Sequence, residues 1–243
     1  LAGTVAKNIG RHFNNAFGTL IGGTVAANAI VYALLYAPNG TLFVGGAITS
    51  FAGTTNSANL AMWASNAFGT LGGTVNTDVF DLAWGLDNRL FAAGRFTTVN
   101  GVQGTSIAQW KSGTLGTMGA SNGAMFAIGT GPNGYLFEGG SYQVIGNGSA
   151  LGASQWNGIQ HSALGAGLAG AFGARAIIAD QRSGGALYAG RFQGYGSIDV
   201  GGTQQLVTWN GASWLPPDIR IVSTGYAYAA AYGIDGALYI GGE

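Results

Sequence analysis

The chain has 243 residues, a length that suits one large domain, and only 7% of them are charged, with Lys and Arg balanced by Asp and Glu at nine each. That balance excludes nucleic-acid binding, which needs clustered positive charge, and electrostatic attachment to anionic membranes. The lack of cysteine excludes disulfides and thiolate metal sites, while 46 glycines beside 12% aromatic residues indicate a folded, turn-rich chain rather than a flexible linker.

In chain order, the first segment with a pattern is NIGRHFNNAFGTLIGGTV (8–25). It parallels NLAMWASNAFGTLGGTV (59–75), sharing NAFGTL, with His12 at the place of Trp63. Between the two lie the apolar run IVYALLYA (30–37), the turn Pro38-Asn39-Gly40 and the phrase Leu42-Phe43-Val44-Gly45-Gly46. Short apolar runs flanking a turn of this chemistry read as a β-hairpin, strands A and B. A Gly-, Thr- and Ser-rich loop carrying Phe51 leads to a third strand ending at Trp63, and AFGTLGG (67–73) supplies a short fourth.

The same order returns down the chain. VFDLAWG, Asp87-Asn88 and LFAAG (90–94) precede SIAQW, which ends at Trp110. AMFAIGT, Pro132-Asn133-Gly134 and LFEGG (136–140) precede a loop with Tyr142, GASQW ending at Trp156, and HSALGAG (161–167). ARAIIAD, Ser183-Gly184-Gly185 and Leu187-Tyr188-Ala189-Gly190 precede a loop with Tyr195, QLVTW ending at Trp209, and a strand near Trp214. YAYAAAYG, Asp235-Gly236 and Leu238-Tyr239-Ile240-Gly241-Gly242 end the chain. The strand-B leucines recur every 46 to 51 residues. No apolar run approaches the roughly 18 residues of a membrane span, so no membrane insertion is expected.

A four-stranded unit at this period is the signature of a β-propeller blade. The A–B hairpin occurs five times, a C–D pair follows it four times, and the fifth C–D pair stands at the N-terminus. The sequence therefore predicts an all-β, five-bladed β-propeller with four antiparallel strands per blade, forming a single domain over residues 1–243. Its last blade is closed by N-terminal strands C–D and C-terminal strands A–B, with the seam between residues 243 and 1. Closure would bury two end faces and pair exposed strand edges. It predicts that the strand at Leu238–Gly242 pairs with the one at Lys7–Phe13. The alternative is a fragment of a longer array.

The strand-B phrase LFAAGRF (90–96) and the C–D phrase WNGASW (209–214) resemble the kelch-like propeller repeats of bacteriophage structural proteins and bacterial surface proteins. The resemblance covers essentially the whole chain, although its Gly-Gly, Tyr and Trp placement is less regular than in typical kelch repeats. It implies a propeller in a virion, extracellular or cell-surface setting. It implies no single activity, since such scaffolds host many.

Five-bladed propellers include glycoside-cleaving enzymes, which need paired carboxylates. The candidates are Asp78, Asp81 and Asp180, but Asp78 and Asp180 fall at opposite ends of their strands. Asp87 and Asp235 are turn residues. No catalytic residue is assigned. His12 stands for a structural Trp, and His161 is expected to be exposed. With no His-x-x-x-His or Asp-x-Asp-x-Asp run, neither metal nor cofactor is expected. GNGSALGAS (146–154) lacks the Gly-Lys-Ser/Thr of a phosphate loop. Arg95 and Arg191 occupy matching places after strand B and suit ion pairs with carboxylates of a neighbouring blade, or an anionic ligand. Trp63, Trp110, Trp156 and Trp209 recur with the repeat and are expected to hold blades together. The non-repeating aromatics Phe51, Tyr142, Tyr195 and Trp214 are the candidate ligand or partner residues.

The function expected is that of a non-enzymatic structural or interaction module of a virion or cell-surface assembly. Loops on one propeller face would bind neighbouring protein subunits or a host surface. The alternatives are a lectin-like, carbohydrate-binding receptor-recognition domain for surface glycans, and a propeller glycoside hydrolase.

Overall fold

The computed structural model describes residues 9–13, 16–18, 29–51, 54, 57–119, 121–170, 173–216 and 225–243. They fall into two compact units, Leu1–Trp84 with Asn88–Met118 and Gly85–Asp87 with Gly119–Glu243. The chain is all-β, and its sheets are antiparallel. A 3-10 turn at Pro132–Gly134 is the one helical element among the described residues, so no helix is long and apolar enough to cross a membrane.

In the first unit, β1 (Arg11–Phe13) and β2 (Ala16–Gly18) form a hairpin. β3 (Ile30–Tyr36), β4 (Leu42–Ala47), β5 (Leu60–Ala64) and β6 (Ala67–Gly69) form a four-stranded meander. β7 (Val79–Trp84) and β8 (Leu90–Gly94) begin a second. The small hairpin of β9 (Thr98–Val99) and β10 (Val102–Gln103) interrupts it, and β11 (Ile107–Lys111) and β12 (Thr114–Thr117) complete it.

The second unit repeats the plan. β13 (Met125–Thr130) and β14 (Leu136–Gly140) are followed by a minor hairpin, β15 (Val144–Ile145) and β16 (Gly148–Ser149), and by β17 (Ala153–Trp156) and β18 (His161–Ala163). β19 (Leu168–Ala169) and β20 (Ala174–Ala179) both pair with β21 (Ala186–Tyr195), which continues to β22 (Ile198–Trp209) and β23 (Trp214–Leu215). β24 (Ala227–Tyr232) and β25 (Leu238–Gly242) form the last hairpin. Each A–B turn places a residue at positive φ, namely Gly40, Asn88, Gly134, Gly184 and Gly236, as its Asn, Asp and Gly content dictates.

Among the described residues β1–β2 and β24–β25 are each two-stranded sheets, and the expected pairing of Leu238–Gly242 with Lys7–Phe13 is not among their ladders; Lys7 lies outside the described residues. The other B–C joins close loops of about a dozen residues. A seam would have no such short connection between its two halves. No local tether dictates it.

A bulge recurs in every A strand. The register of A against B skips one residue at Tyr32, Phe80, Phe126, Arg175 and Tyr228. Opposite each stands the second glycine of the strand-B phrase. A Cβ on Gly46 would lie 2.0 Å from the Ile30 carbonyl oxygen, on Gly94 2.0 Å from that of Asp78, and on Gly140 2.2 Å from that of Ala124. Gly190 and Gly242 meet the carbonyls of Gly173 and Tyr226 at 2.4 and 1.9 Å in the same way. The residue after the glycine then donates its N–H to that carbonyl, as Arg95 does to Asp78, Ser141 to Ala124 and Glu243 to Tyr226. The first glycine serves packing. A Cβ on Gly45 would fall 2.7 Å from Val79, and one on Gly139 2.6 Å from Ala174, so each admits the start of the next A strand.

Each unit has its own core. In the first, Phe43 is fully buried against Trp84 and Trp110, with ring centroids 5.5 and 5.7 Å away. In the second, Tyr188, Trp209 and Trp214 meet edge to face. The loops are strutted by neutral amides: Asn76 Oδ1 accepts from the Thr97 and Thr98 N–H groups, and Asn122 Oδ1 from those of Gln143 and Val144. That is how so few charges suffice.

Gly94→Ala should destabilise the fold by about 2–3 kcal/mol in urea unfolding, because the new methyl meets backbone that cannot yield. Gly116→Ala, where the added Cβ meets nothing within 4 Å, should stay within about 0.5 kcal/mol of the parent. Equal effects would show that the bulge is not what the glycine protects.

Candidate functional site

A bulge takes its residue out of the ladder and re-aims the side chain, so the five bulges form a repeated set of display positions. Four carry an aromatic and the fourth in order carries Arg175. In the first unit Tyr32 meets Phe80 edge to face, with centroids 5.3 Å apart. In the second, the Arg175 guanidinium lies 3.8 Å from the centroid of Phe126 and 6.0 Å from that of Tyr226, while that of Arg191 lies 5.3 Å from Tyr226. Tyr226 and Tyr228 stack 5.5 Å apart at 14°, and Tyr228 Oη donates to Glu243 Oε1 at 3.0 Å. Among the described residues Arg175 makes no ion pair, and its Nε is buried without a hydrogen-bond partner. Burial lowers the Arg175 guanidinium from its ordinary value, and the neighbouring Tyr228 and Tyr226 act the other way. The Glu243 hydrogen bond raises Tyr228.

A second departure from the repeat is sealed inside the sheet of β13, β14, β17 and β18. Glu138 stands where sibling strands have Val44, Ala92, Ala189 and Ile240. Its cross-strand partner Ser154 stands for Ala61, Ala108 and Leu206. Tyr142 stands for Ile48, Phe96 and Phe192, and His161, opposite Trp156, stands for Phe68, Leu115 and Trp214. The four replacements join. His161 Nδ1 lies 2.9 and 3.1 Å from the two carboxylate oxygens of Glu138, and Ser154 Oγ donates to Glu138 Oε2 at 2.5 Å. With its only proton so used, Ser154 accepts from Tyr142 Oη, 2.7 Å away, which also lies 3.1 Å from the Glu138 carbonyl oxygen. Glu138 is 0% and the His161 side chain 4% exposed. Burial first, then the Glu138 charge, raises Tyr142 well above its ordinary 10.0. Burial, then Tyr142 and Glu138, does the same to Tyr188. No substrate reaches this network; it is a polar centre of the sheet.

The sequence-derived candidates fall elsewhere. Phe51, Tyr142, Tyr195 and Trp214 are all interior, at 2, 1, 6 and 7% exposure. Phe51 packs on Phe68, the Tyr142 hydroxyl belongs to the network, Tyr195 ends the extended strand β21 instead of riding a loop, and Trp214 Nε1 donates to the Leu164 carbonyl at 2.8 Å. Their contacts are interior ones, so none of the four presents an exposed ring to a ligand. His161, expected at the surface, is buried because its carboxylate partner sits two strands away.

Arg95 pairs at 2.7 Å with Asp78, which precedes the A strand of its own hairpin rather than belonging to another sheet. Asp81 Oδ1 accepts from the Leu82 N–H. Asp180 is bound into its turn by the Ser183 hydroxyl and the Arg182 N–H, which hold its carboxyl below the ordinary value. No group of three His, Cys, Asp or Glu suited to a metal occurs among the described residues. Position-by-position alignment of the five hairpins would have singled out Glu138 and Arg175, since each breaks an otherwise apolar column.

No protein-family model matches the chain, and no curated protein matches it. The extracellular domain of the putative one-component system BT4673 from B. thetaiotaomicron is similar in structure, with a TM-score of 0.51 and 11% identity over 91% of this chain and 33% of that one. The extracellular domain of the putative hybrid two-component system BT4673 from the same organism aligns over 97% of this chain and 30% of that one, at 11% identity and a TM-score of 0.29. The chain thus spans about a third of the structures it matches. At this identity the first likeness is one of fold.

His161→Leu alone leaves a buried carboxyl without its imidazole partner and should destabilise by about 3–5 kcal/mol. Restoring the sibling residues together (Glu138→Val, Tyr142→Phe, Ser154→Ala and His161→Leu) should bring stability back to within about 1 kcal/mol of the parent, or above it. Urea midpoints at constant slope decide this; a quadruple variant as weak as the single one would show that the four do not act as a unit.

Proposed function

We propose that the chain is a non-enzymatic interaction module, working outside a cell or on a particle surface, that binds its partner through side chains raised on a repeated β scaffold. The observation that carries this reading is how the charged groups are used. Asp78 is tied to Arg95, Asp180 and Asp235 to their own turns, and Glu138 is sealed. What the bulges offer to solvent is Tyr32 in the first unit, 45% exposed, and in the second Tyr228, 48% exposed, with a half-buried Arg175. The extracellular setting of the fold relative and the scarcity of charge support the location. The kelch-like phrases LFAAGRF and WNGASW favour a phage or bacterial surface assembly, with neighbouring subunits or surface glycans as partners.

On the same reading the architecture is a five-bladed propeller in a single domain. Four meanders support this reading, as do two end hairpins that together supply the four strands a fifth blade needs. β3 leaves Ile30, Leu34 and Tyr36 exposed, and the last hairpin leaves Tyr232 and Tyr239 exposed; ring closure would cover both apolar faces. Small-angle scattering should then give a radius of gyration of about 18 Å. A value well above that, with a bilobed distance distribution, would rule the ring out.

The functional reading is tested by offering the purified chain a panel of surface polysaccharides and intact particles while assaying reducing ends. Saturable retention without release of reducing ends is expected. Release that disappears in Asp81→Asn would replace this reading with the glycoside hydrolase.

A further inference from the structure

We infer that the cluster of Arg175, Arg191, Tyr226 and Tyr228 binds a carboxylate-bearing sugar of the uronic-acid type. The inference names a ligand for the interaction module proposed above and rests on that reading. It starts from the bulge in β20, where Arg175 takes a position that is aromatic in every other hairpin. Its guanidinium face is covered by Phe126 at 3.8 Å, so only its edge is left to donate. A guanidinium edge matches a carboxylate as a two-bond fork.

Among the described residues Arg175 also lacks an ion pair, whereas Arg95 has one. A second guanidinium, that of Arg191, shares the Tyr226 ring with it. Two cations over one ring repel, and an anion beside them offsets that repulsion. Next to them, Tyr226 and Tyr228 form a near-parallel pair whose outer member is exposed, a surface suited to the C–H face of a sugar ring.

The charge pattern separates this ligand from other anions. Glu243 is hydrogen-bonded to Tyr228 at the rim and repels a dense polyanion such as a phosphorylated or sulfated chain. The formal net charge of zero offers no long-range pull on an acidic peptide. A single carboxylate on a neutral, hydroxylated body meets both conditions.

The test uses the whole chain and titrates an oligomer of glucuronic acid, its methyl ester, a neutral glucose oligomer and a sulfated glucose oligomer, following tyrosine fluorescence and calorimetry. The acid should bind at least roughly 10-fold more tightly than its ester, the loss expected when a charge-assisted pair is removed. Arg175→Gln should abolish that difference, and Arg182→Gln, on an exposed turn, should keep it. Should Arg175→Gln fail to fold by circular dichroism, Tyr228→Ala provides the same comparison from an exposed position and should weaken the acid and the ester alike. Equal binding of acid and ester, or tighter binding of the sulfated oligomer, overturns the inference. So does binding of the acid that survives both variants. If the acid does not bind while another polysaccharide or particle is retained, the ligand is wrong and the module reading stands. If the acid is bound and cleaved, the ligand stands and the non-enzymatic reading falls.

Discussion

The second glycine of each strand-B phrase sits so close to the carbonyl two residues before the bulge that an added Cβ would lie 1.9 to 2.4 Å from its oxygen. This contact is made five times with different neighbours, and much of the local structure follows from it. The bare backbone lets the A strand carry an extra residue. The next N–H along strand B donates to the same carbonyl, so the distortion costs no hydrogen bond. The extra residue leaves the ladder, and its side chain is available for something other than pairing. A residue too small to make contacts thereby decides where the largest ones point.

Charge is used sparingly and in two ways. Most polar work falls to amides and hydroxyls, with Asn side chains holding loops through their carbonyl oxygens and the turns capped by their own Asn, Asp and Ser residues. Beside the Arg95–Asp78 pair of the first unit, two exceptions lie in the second. Glu138 takes a charge into a sheet whose siblings are apolar, and three neighbours change with it. Arg175 takes a charge to a bulge whose siblings are aromatic, and among the described residues it makes no ion pair. The first case is sealed among its own polar neighbours, the second stands beside exposed Tyr228.

The hairpins were legible because two signals agree at each one, a short apolar run and a turn whose residues accept positive φ. The four-strand grouping was legible because tryptophan marks the third strand each time. The location of the aromatics was not. That an aromatic does not repeat says nothing of its burial: Phe51 and Tyr142 fold back over their own sheets, and Tyr195 continues strand β21 where a loop is expected. His161 was misjudged for a related reason: a short strand after a turn looks peripheral until the carboxylate opposite it is identified. Arg175 carried a readable signal, its place in an aromatic column, but the bulge that gives the column meaning is a property of pairing. The join of the two chain ends rests on the motif shared by segments 8–25 and 59–75, with no short loop to enforce it.

The polar network also bears on how such a chain changes over generations. Each of its four residues is harmful without the others, since a lone Glu138 or a Glu138 deprived of His161 is a buried, uncompensated charge worth about 3–5 kcal/mol, much of the total stability of an ordinary domain. Repeats are built by copying and can be shuffled by recombination. A crossover falling between residues 138 and 161 would split the set, leaving the acid in one descendant and the base in the other. The third repeat can therefore be inherited whole or lost whole, whereas its siblings, with interchangeable apolar centres, remain free to trade strands.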